Sequence, residues 1–366
     1  MAFRQAKKGL PIAEGTVVTA VGHPNIAFVK YWGKRDPKLN LPNNSSVSMT
    51  LDDNFKTTTS VLFSNKLGAD QVYINDELQE ISGENASEKS KFIKIVLDQM
   101  RARAGSKTNA LIVSQNSFPS SSGMASSASG AATLVFALST ALNLELKPQD
   151  MSIIARQISG SACRSLYGGI VEWEKGSNPD GSDSYAKQVV AQDYWPNLID
   201  MVVIVDPSKK KVSSSEGHAL IDTSPLYPNR PAFAEDNVVK IKEAVLKQDF
   251  GTMAEVIMRD SNDMHATMLD SWPPVMYLND TSRAIINAVH ELNAKNGRNV
   301  AAYTFDAGPN AHIITTRDQD PLIRDVLSTI DGIKEVIVSA MGEAPKIVKA
   351  SLIDAQNLKP LLRAKK

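Results

Sequence analysis

Residues 25–36, with the sequence NIAFVKYWGKRD, decide how the rest of this chain is interpreted. Residues 26–31 predict a β-strand, and a turn is expected to follow them. Two lysines, a tyrosine and an arginine crowd this short run, and the amide-rich segment 41–46, LPNNSS, comes soon after it. A strand that served only the core would not need this density of polar groups. A site for a small substrate with several negative charges would need it, so we expect one here.

The composition is that of an ordinary globular protein. The chain has 366 residues, of which 42% are hydrophobic and 22% charged, and this length allows one large domain or two lobes. Its formal net charge is zero, which gives no general electrostatic attraction to nucleic acid or to an acidic membrane. The single cysteine, Cys163, cannot form an internal disulfide. Because residues 1–15 precede no signal-like or membrane-spanning apolar run, we expect a soluble cytoplasmic protein without a membrane or nucleic-acid partner.

Strand and helix patterns occur in both halves of the chain. Strands are predicted at 17–20, 26–31, within 48–63, in a hairpin over 71–81, and at 110–115, 168–174, 184–190, 201–206, 300–304, 312–316 and 333–338. Helices are predicted at 89–104, 124–142, 148–159, 231–248, 250–269, 281–296 and 320–330, with Asp280 or Thr281 as the N-cap of the helix at 281–296. This mixture predicts an α+β fold with two lobes, residues 1–199 and 200–366.

Residues 117–130, SFPSSSGMASSASG, have the character of a phosphate-binding loop. Small side chains let a polyphosphate approach the backbone, and the free amides and dipole at the start of the following helix favour an anion. Hydroxyls from Ser126, Ser127 and Ser129 would add donors or hold a metal-bound water. The alternative is a serine-rich linker before a packed helix. The segment is not a Walker loop, since it lacks Gly-Lys-Ser/Thr.

Two further segments carry single charged residues in unusual settings. In residues 159–169, SGSACRSLYGG, Arg164 stands among small residues and can present its planar fork to a carboxylate. In residues 304–311, TFDAGPNA, Asp306 follows an apolar strand, where a charge is costly unless it has a partner or a function. The structural alternatives are an arginine-capped turn and a turn or N-cap aspartate.

In their order along the chain, these four segments resemble those of mevalonate diphosphate decarboxylases, which belong to the GHMP superfamily of small-molecule kinases. The resemblance implies a two-lobed GHMP-kinase-like fold with mixed and antiparallel sheets backed by helices. It also implies a homodimer that uses ATP and Mg²⁺. The implied reaction is the ATP-dependent decarboxylation of mevalonate 5-diphosphate to isopentenyl diphosphate, through phosphorylation of the 3-hydroxyl, in the mevalonate pathway of isoprenoid synthesis.

The resemblance also implies roles for particular residues. Arg164 is expected to grip the C1 carboxylate of the substrate, and Asp306 to lie against the 3-hydroxyl with Lys30 nearby. Tyr31 and Lys34 are candidates for holding the 5-phosphate end. The complete predicted substrate-binding set is Asn25, Tyr31, Lys34, Ser159, Ser161 and Ser214. The predicted nucleotide-binding set is Ser120, Ser122, Gly123, Met124, Ala125, Ser126 and Ser127. No metal ligands are identified, and Cys163 is expected to be a packing residue.

The chain departs from the family pattern at three places. Ser121 and Ser122 stand where the decarboxylases often have alanines. His23 lies in a Gly-His-Pro segment where the family usually has Ala-Pro, and it is either a phosphate contact or a loop residue without a role. His218 falls close to the place where many members carry an arginine.

Three alternatives to the main prediction remain open. The first is a decarboxylase with another substrate, since relatives act on mevalonate 5-phosphate, or on the 3,5-bisphosphate without ATP. The second is a non-catalytic GHMP ligand sensor, and the third is a kinase that stops at phosphorylation. The intact loop at 119–130 favours ATP use, and the joint presence of Lys30, Arg164 and Asp306 argues against a sensor.

Overall fold

Strands and helices follow one another throughout this computed structural model, which describes residues 14–118, 126–205 and 212–363. The strands are β1 Val17–Gly22, β2 Asn25–Val29, β3 Lys34–Asp36, β4 Leu41–Pro42, β5 Ser46–Thr50, β6 Thr57–Phe63, β7 Gln71–Ile74, β8 Glu77–Gln79, β9 Ala110–Asn116, β10 Ile170–Trp173, β11 Ala186–Val190, β12 Leu198–Ile204, β13 Ala301–Phe305, β14 Ala311–Thr316, β15 Glu335–Ala340, β16 Lys346–Val348, β17 Ile353–Asp354 and β18 Lys359–Pro360.

The helices are α1 Glu88–Ala104, α2 Ser126–Ala141, α3 Pro148–Ile158, α4 Ser214–Leu220, α5 Arg230–Lys247, α6 Phe250–Asp270, α7 Asp280–Lys295 and α8 Asp320–Ser328. A 3₁₀ helix spans Gly160–Leu166, and shorter ones span Ile221–Thr223, Tyr227–Asn229 and Arg317–Gln319. The first residues of the predicted helix at 124–142 lie outside the described residues. None of the described helices is long and apolar enough to cross a membrane.

Local capping fixes where several helices begin. The Ser87 hydroxyl accepts a hydrogen bond from the Ser90 amide at the start of α1, and Asp249 does the same for Thr252 in α6. The predicted cap of α7 is wrong, because Asn279 is the N-cap and exchanges hydrogen bonds with Ser282. Asn279 comes just before the first helical residue, and its short amide reaches the Ser282 amide from there.

Three sheets organise the described chain. The first has the strand order β16-β1-β6-β9-β7-β8 and is antiparallel except for the pair β7–β9. The second has the order β11-β10-β5-β2, and the third the order β13-β14-β12-β15; both are antiparallel throughout. Helices α1, α2 and α3 share a core with the first sheet. The second and third sheets share another core with α5, α6 and α7.

The C-terminal segment returns to the first sheet. Strand β16 pairs antiparallel with β1, so residues beyond 345 complete a sheet built from the first half of the chain. The sequence did not predict β16, β17 or β18, because strands of two or three residues are too short to show a period. The division into lobes 1–199 and 200–366 stays a prediction.

Candidate active site

A lysine and an aspartate that are far apart in sequence form an ion pair where two sheets meet. Lys30 directly follows β2, is 1% exposed, and donates from Nζ to Oδ1 of Asp306 at 2.7 Å. Asp306 directly follows β13, and its side chain is 28% exposed. Burial lowers the pKa of Lys30, although the carboxylate of Asp306 opposes this shift. The pair therefore presents a partly exposed carboxylate with a buried ammonium directly beside it.

The backbone of Lys30 is fixed by a buried polar cluster. Its amide donates to Oδ1 of Asp260 on α6 at 2.7 Å, and its carbonyl accepts from Asn44 at 3.0 Å and from Arg230 at 3.2 Å. Arg230 also donates to Asp260, and both side chains are fully buried. The sequence did not indicate Arg230, because its partners come from distant elements. The cluster holds the end of β2 in place under the reactive pair.

We expect Asp260→Asn to lower the free energy of unfolding by about 3–5 kcal/mol, because the substitution leaves Arg230 buried without the one of its two carboxylate partners that is itself fully buried. Urea denaturation followed by circular dichroism measures the change. The matched control is Asp263→Asn, since Asp263 also pairs with Arg230 but its side chain is 32% exposed. That variant should lose about 1 kcal/mol or less. Equal losses in both variants would contradict the role assigned to Asp260.

Arg164 is a buried cation held by neutral groups. It lies on the 3₁₀ helix Gly160–Leu166 and is 2% exposed. Its Nε donates to Asn25 at 3.0 Å and to Ser48 at 2.8 Å, and Nη1 donates to Ser46 at 2.5 Å. Among the described residues, none places a carboxylate within ion-pairing distance of this guanidinium. A buried charge without a counter-ion is costly, so the site is suited to an anionic ligand.

The groups that hold Arg164 include residues that sequence reasoning missed. Ser46 and Ser48 alternate with apolar residues on β5, and this period of two could have indicated a polar face. The predicted substrate ligand Asn25 uses its whole amide on the protein. Its Nδ2 donates to the Ser161 carbonyl at 3.1 Å and to the Ser165 hydroxyl at 2.8 Å, while Oδ1 accepts from Arg164. Asn25 therefore orients the guanidinium from behind.

A row of rings leads away from Arg164. The guanidinium carbon lies 5.9 Å from the centre of the Trp173 ring. The centre of that ring lies 4.7 Å from the centre of the Tyr31 ring. The imidazole of His218, on α4, lies between two other rings. It stacks on Trp32 with ring centres 4.3 Å apart, and it is tilted against Tyr31 with ring centres 4.5 Å apart. The row joins the guanidinium to the segment after Lys30 that the sequence singled out.

The other predicted site residues differ in their contacts and in their exposure. Lys34 donates from Nζ to Asn40 at 2.8 Å, and burial lowers its pKa. Ser214 is exposed in the first turn of α4, and Ser161 contributes its carbonyl to Asn25. Burial raises the pKa of the Cys163 thiol to about 12, which fits a packing residue and excludes a ready nucleophile.

His23 makes its hydrogen bonds within the protein. Its Nδ1 lies 3.1 Å from the Glu343 carbonyl oxygen, and its Nε2 lies 2.8 Å from Oδ1 of Asp53. Both ring nitrogens are therefore used within the protein, and the ring is buried. Of the two alternatives for this histidine, the phosphate contact is wrong. The ring instead ties the turn before β2 to the segment before β16.

A cavity of about 550 Å³ opens beside the start of α2. Its lining combines apolar residues of the first sheet with the polar groups Asn75, Lys89, Ser126 and Ser127. The Ser159 hydroxyl donates to that of Ser127 at 3.4 Å, so the cavity adjoins the segment that carries Arg164. Of the predicted nucleotide ligands, Ser120, Ser122, Gly123, Met124 and Ala125 lie outside the described residues. A larger recess of about 740 Å³ lies beyond α1, and no predicted site residue lines it.

A helix with a serine-rich start, packed on a mixed sheet beside two antiparallel sheets, defines a GHMP-kinase-like α+β protein, as the resemblance implied. The family models described as diphosphomevalonate decarboxylase-like N-terminal domain and mevalonate 5-diphosphate decarboxylase C-terminal domain match residues 22–186 and 200–331. The chain belongs to the mevalonate diphosphate decarboxylase family.

Individual relatives agree with this membership. The diphosphomevalonate decarboxylase mvd1 of Aspergillus fumigatus is 41% identical over 330 residues, which cover 86% of this chain and 80% of that protein. The crystal structure of mevalonate diphosphate decarboxylase from Staphylococcus aureus is 36% identical, with a TM-score of 0.82 over 91% of this chain and 98% of that one. A structure described as MDDEF in complex with MVAPP, AMPPCP and magnesium is 33% identical, with a TM-score of 0.81 over 91% and 99%.

Proposed function

We propose that this protein decarboxylates mevalonate 5-diphosphate to isopentenyl diphosphate, with conversion of ATP to ADP and phosphate. The observation that carries the proposal is the Lys30–Asp306 pair beside a buried guanidinium that has no carboxylate partner among the described residues. Asp306 and Arg164 are close enough to influence each other electrostatically. One substrate can therefore engage both, with its 3-hydroxyl on Asp306 and its C1 carboxylate on Arg164.

Asp306 acts on the hydroxyl. A tertiary hydroxyl is a poor leaving group, so it is phosphorylated before the carbon–oxygen bond breaks, and phosphoryl transfer depends mainly on positioning and charge neutralisation. The Asp306 carboxylate orients the hydroxyl and accepts its proton as general base. Lys30, whose Nζ lies 2.7 Å from Oδ1 of Asp306, compensates for charge that moves toward the phosphoryl acceptor.

Arg164 acts on the carboxylate. Loss of the 3-phosphate leaves an electron-poor carbon, and breaking the bond to the carboxylate supplies the electrons for the new double bond. The guanidinium holds the carboxylate in line for this step. It must not bind the carboxylate too tightly, because stabilising the ground state would oppose its departure. The neutral partners Asn25, Ser46 and Ser48 fix the guanidinium without adding a competing anion.

The cavity beside α2 fits a nucleotide. Its apolar wall suits a flat base, and Ser126 and Ser127 stand where the phosphates of such a ligand would meet the helix start. ATP supplies the transferred phosphoryl group, and Mg²⁺ would be held largely by its phosphates. Among the described residues, no group of three or more acidic, histidine or cysteine side chains offers a separate metal site.

The same proposal includes a homodimer in the cytoplasm, with no nucleic-acid or membrane partner. The resemblance supports the dimer. The zero formal net charge supports the lack of a nucleic-acid or membrane partner. The single cysteine, which is buried and unpaired, supports the cytoplasm as the compartment.

Product analysis tests the function. The purified protein is given mevalonate 5-diphosphate, the 5-monophosphate or the 3,5-bisphosphate, each with and without MgATP. We expect isopentenyl diphosphate, CO₂ and ADP in equal amounts from the first substrate, and only with MgATP. Decarboxylation of the bisphosphate without ATP would contradict the phosphoryl-transfer step. Turnover of the 5-monophosphate alone would show that this compound is the substrate, and that it undergoes the same phosphorylation and decarboxylation.

A further inference from the structure

His218 is held in a fixed orientation within the row of rings. It lies on α4, between Tyr31 and Trp32, with both neighbouring ring centres within 4.5 Å. Gly33 stands between Trp32 and Lys34 in the chain and directs its amide at the imidazole. These contacts come from the segment that the sequence marked as a site for an anionic substrate. The orientation of the imidazole is therefore set by the substrate segment itself.

One hydrogen bond fixes the tautomer of His218. The Gly33 amide donates to Nδ1 at 2.9 Å, so Nδ1 is an acceptor and carries no proton. Burial, with a smaller contribution from the Lys34 ammonium, lowers the pKa of His218 to about 3. At neutral pH the ring is uncharged, and its single proton sits on Nε2.

The Nε2–H group has no acceptor among the described residues, and the His218 side chain belongs to a residue that is only partly buried. The flanking rings show the same deficit, because the Tyr31 hydroxyl and the Trp32 indole nitrogen are buried without a partner among the described residues. Three neighbouring side chains thus carry unused donors, and Lys34 adds a positive charge next to them. An oxygen-rich anion is the ligand that such a set suits.

We propose that His218 is a specificity-determining residue whose neutral Nε2–H donates a hydrogen bond to the distal phosphate of the substrate. This inference rests on the proposed function, and it assigns the end of the substrate that His218 contacts. Arg164 lies at the other end of the row, beyond Trp173 and Tyr31, and is reserved for the carboxylate. The phosphate end therefore falls near Lys34 and His218.

The charged and titratable groups near His218 agree with this assignment. Lys34 is the charged group that acts on it directly, and the phenols of Tyr31, Tyr277 and Tyr227 stand in or around the aromatic cluster. Burial raises the pKa of each of these phenols, so all remain neutral donors at neutral pH. Glu216 on the same helix is occupied by the capping box with Ser213. The local field around the imidazole is therefore neutral to positive, which favours an anion.

The test compares substrate affinity with and without a distal phosphate. In His218→Asn the side-chain oxygen can still accept from Gly33, but no donor reaches the former position of Nε2. Isothermal titration calorimetry gives the Kd of mevalonate 5-diphosphate and of the 5-monophosphate for both proteins. We expect the diphosphate Kd to rise about 10-fold or more, as for one lost hydrogen bond to a charged group, and the monophosphate Kd to change less than about 3-fold.

His218→Gln provides the second variant, because its amide nitrogen can return a donor toward the position of Nε2, and it should recover part of the lost diphosphate affinity. Equal weakening for both ligands in His218→Asn would show a merely structural role and overturn the inference. An unchanged diphosphate Kd would also overturn it. If the unmodified protein bound the diphosphate but turned over no substrate, the proposed function would be wrong. The Kd values of the diphosphate and the monophosphate would still decide the role of His218. If it bound neither ligand, both proposals would be wrong.

Discussion

Asp306→Asn is expected to lower kcat roughly 10²- to 10⁴-fold with little change in KM for mevalonate 5-diphosphate. Asparagine keeps the size of the side chain and can still hydrogen-bond the 3-hydroxyl, so substrate binding should survive. It cannot take a proton, and it leaves the Lys30 ammonium, now 2.7 Å from a carboxylate, without its ionic partner. Steady-state assays that follow ADP and CO₂ together measure the effect.

The design separates a lost base from a damaged fold. Asp280→Asn is the matched control, since it makes the same chemical change on an exposed side chain at the start of α7, and its kcat should stay within about 2-fold. ADP and CO₂ should fall in equal proportion in Asp306→Asn, because the base acts before either is released. A near-normal kcat would remove Asp306 from the mechanism.

The sequence predicted the parts of this site better than their assembly. Lys30 and Asp306 stand 276 positions apart, and neither segment alone reveals that the two side chains meet. Each segment nevertheless carries a charge at the end of an apolar strand, which is a local signal for function. The pairing depends on how the second and third sheets pack, and only the resemblance supplied it in advance.

The same contrast applies to the fold. Helix α6 was predictable because its apolar residues recur at helical spacing over 21 residues, and strand β12 because its seven residues are almost all apolar. Strand β16 has three residues and depends on its pairing with β1. Helix α4 was missed as well, because its seven residues are too few to show a helical period.

Polar residues in the interior were the hardest to interpret. Ser46 and Ser48 have small neutral side chains that individually indicate only a strand, and the resemblance assigned Asn25 to the substrate and not to Arg164. Their function appears only once Arg164 lies against them and uses them as acceptors. A sequence shows which residues can accept a hydrogen bond, whereas the donor they serve is set by the tertiary structure.

Arg164→Lys is expected to lower kcat/KM for mevalonate 5-diphosphate by roughly 10²- to 10³-fold, as when one partner of a buried, hydrogen-bonded charge pair is removed. Lysine retains the positive charge, but a single ammonium cannot hold Asn25, Ser46 and Ser48 and also present a planar fork to a carboxylate. KM for ATP should change less than about 3-fold, since a separate cavity beside α2 is proposed for the nucleotide. Steady-state kinetics with each substrate varied in turn provide both values.

Arg156→Lys is the control that gives this result its meaning. Arg156 is equally buried, but its guanidinium donates to the backbone carbonyls of Leu39, Gly181 and Ser184 and so ties loops together. Its replacement should lower thermal stability, while the protein that remains folded keeps its kcat/KM within about 3-fold. The charge is conserved in both variants, so a kinetic loss confined to position 164 would come from losing the guanidinium fork and the contacts that orient it toward the substrate. Similar kinetic losses at both positions would instead assign Arg164 to the scaffold, and the carboxylate would need another partner.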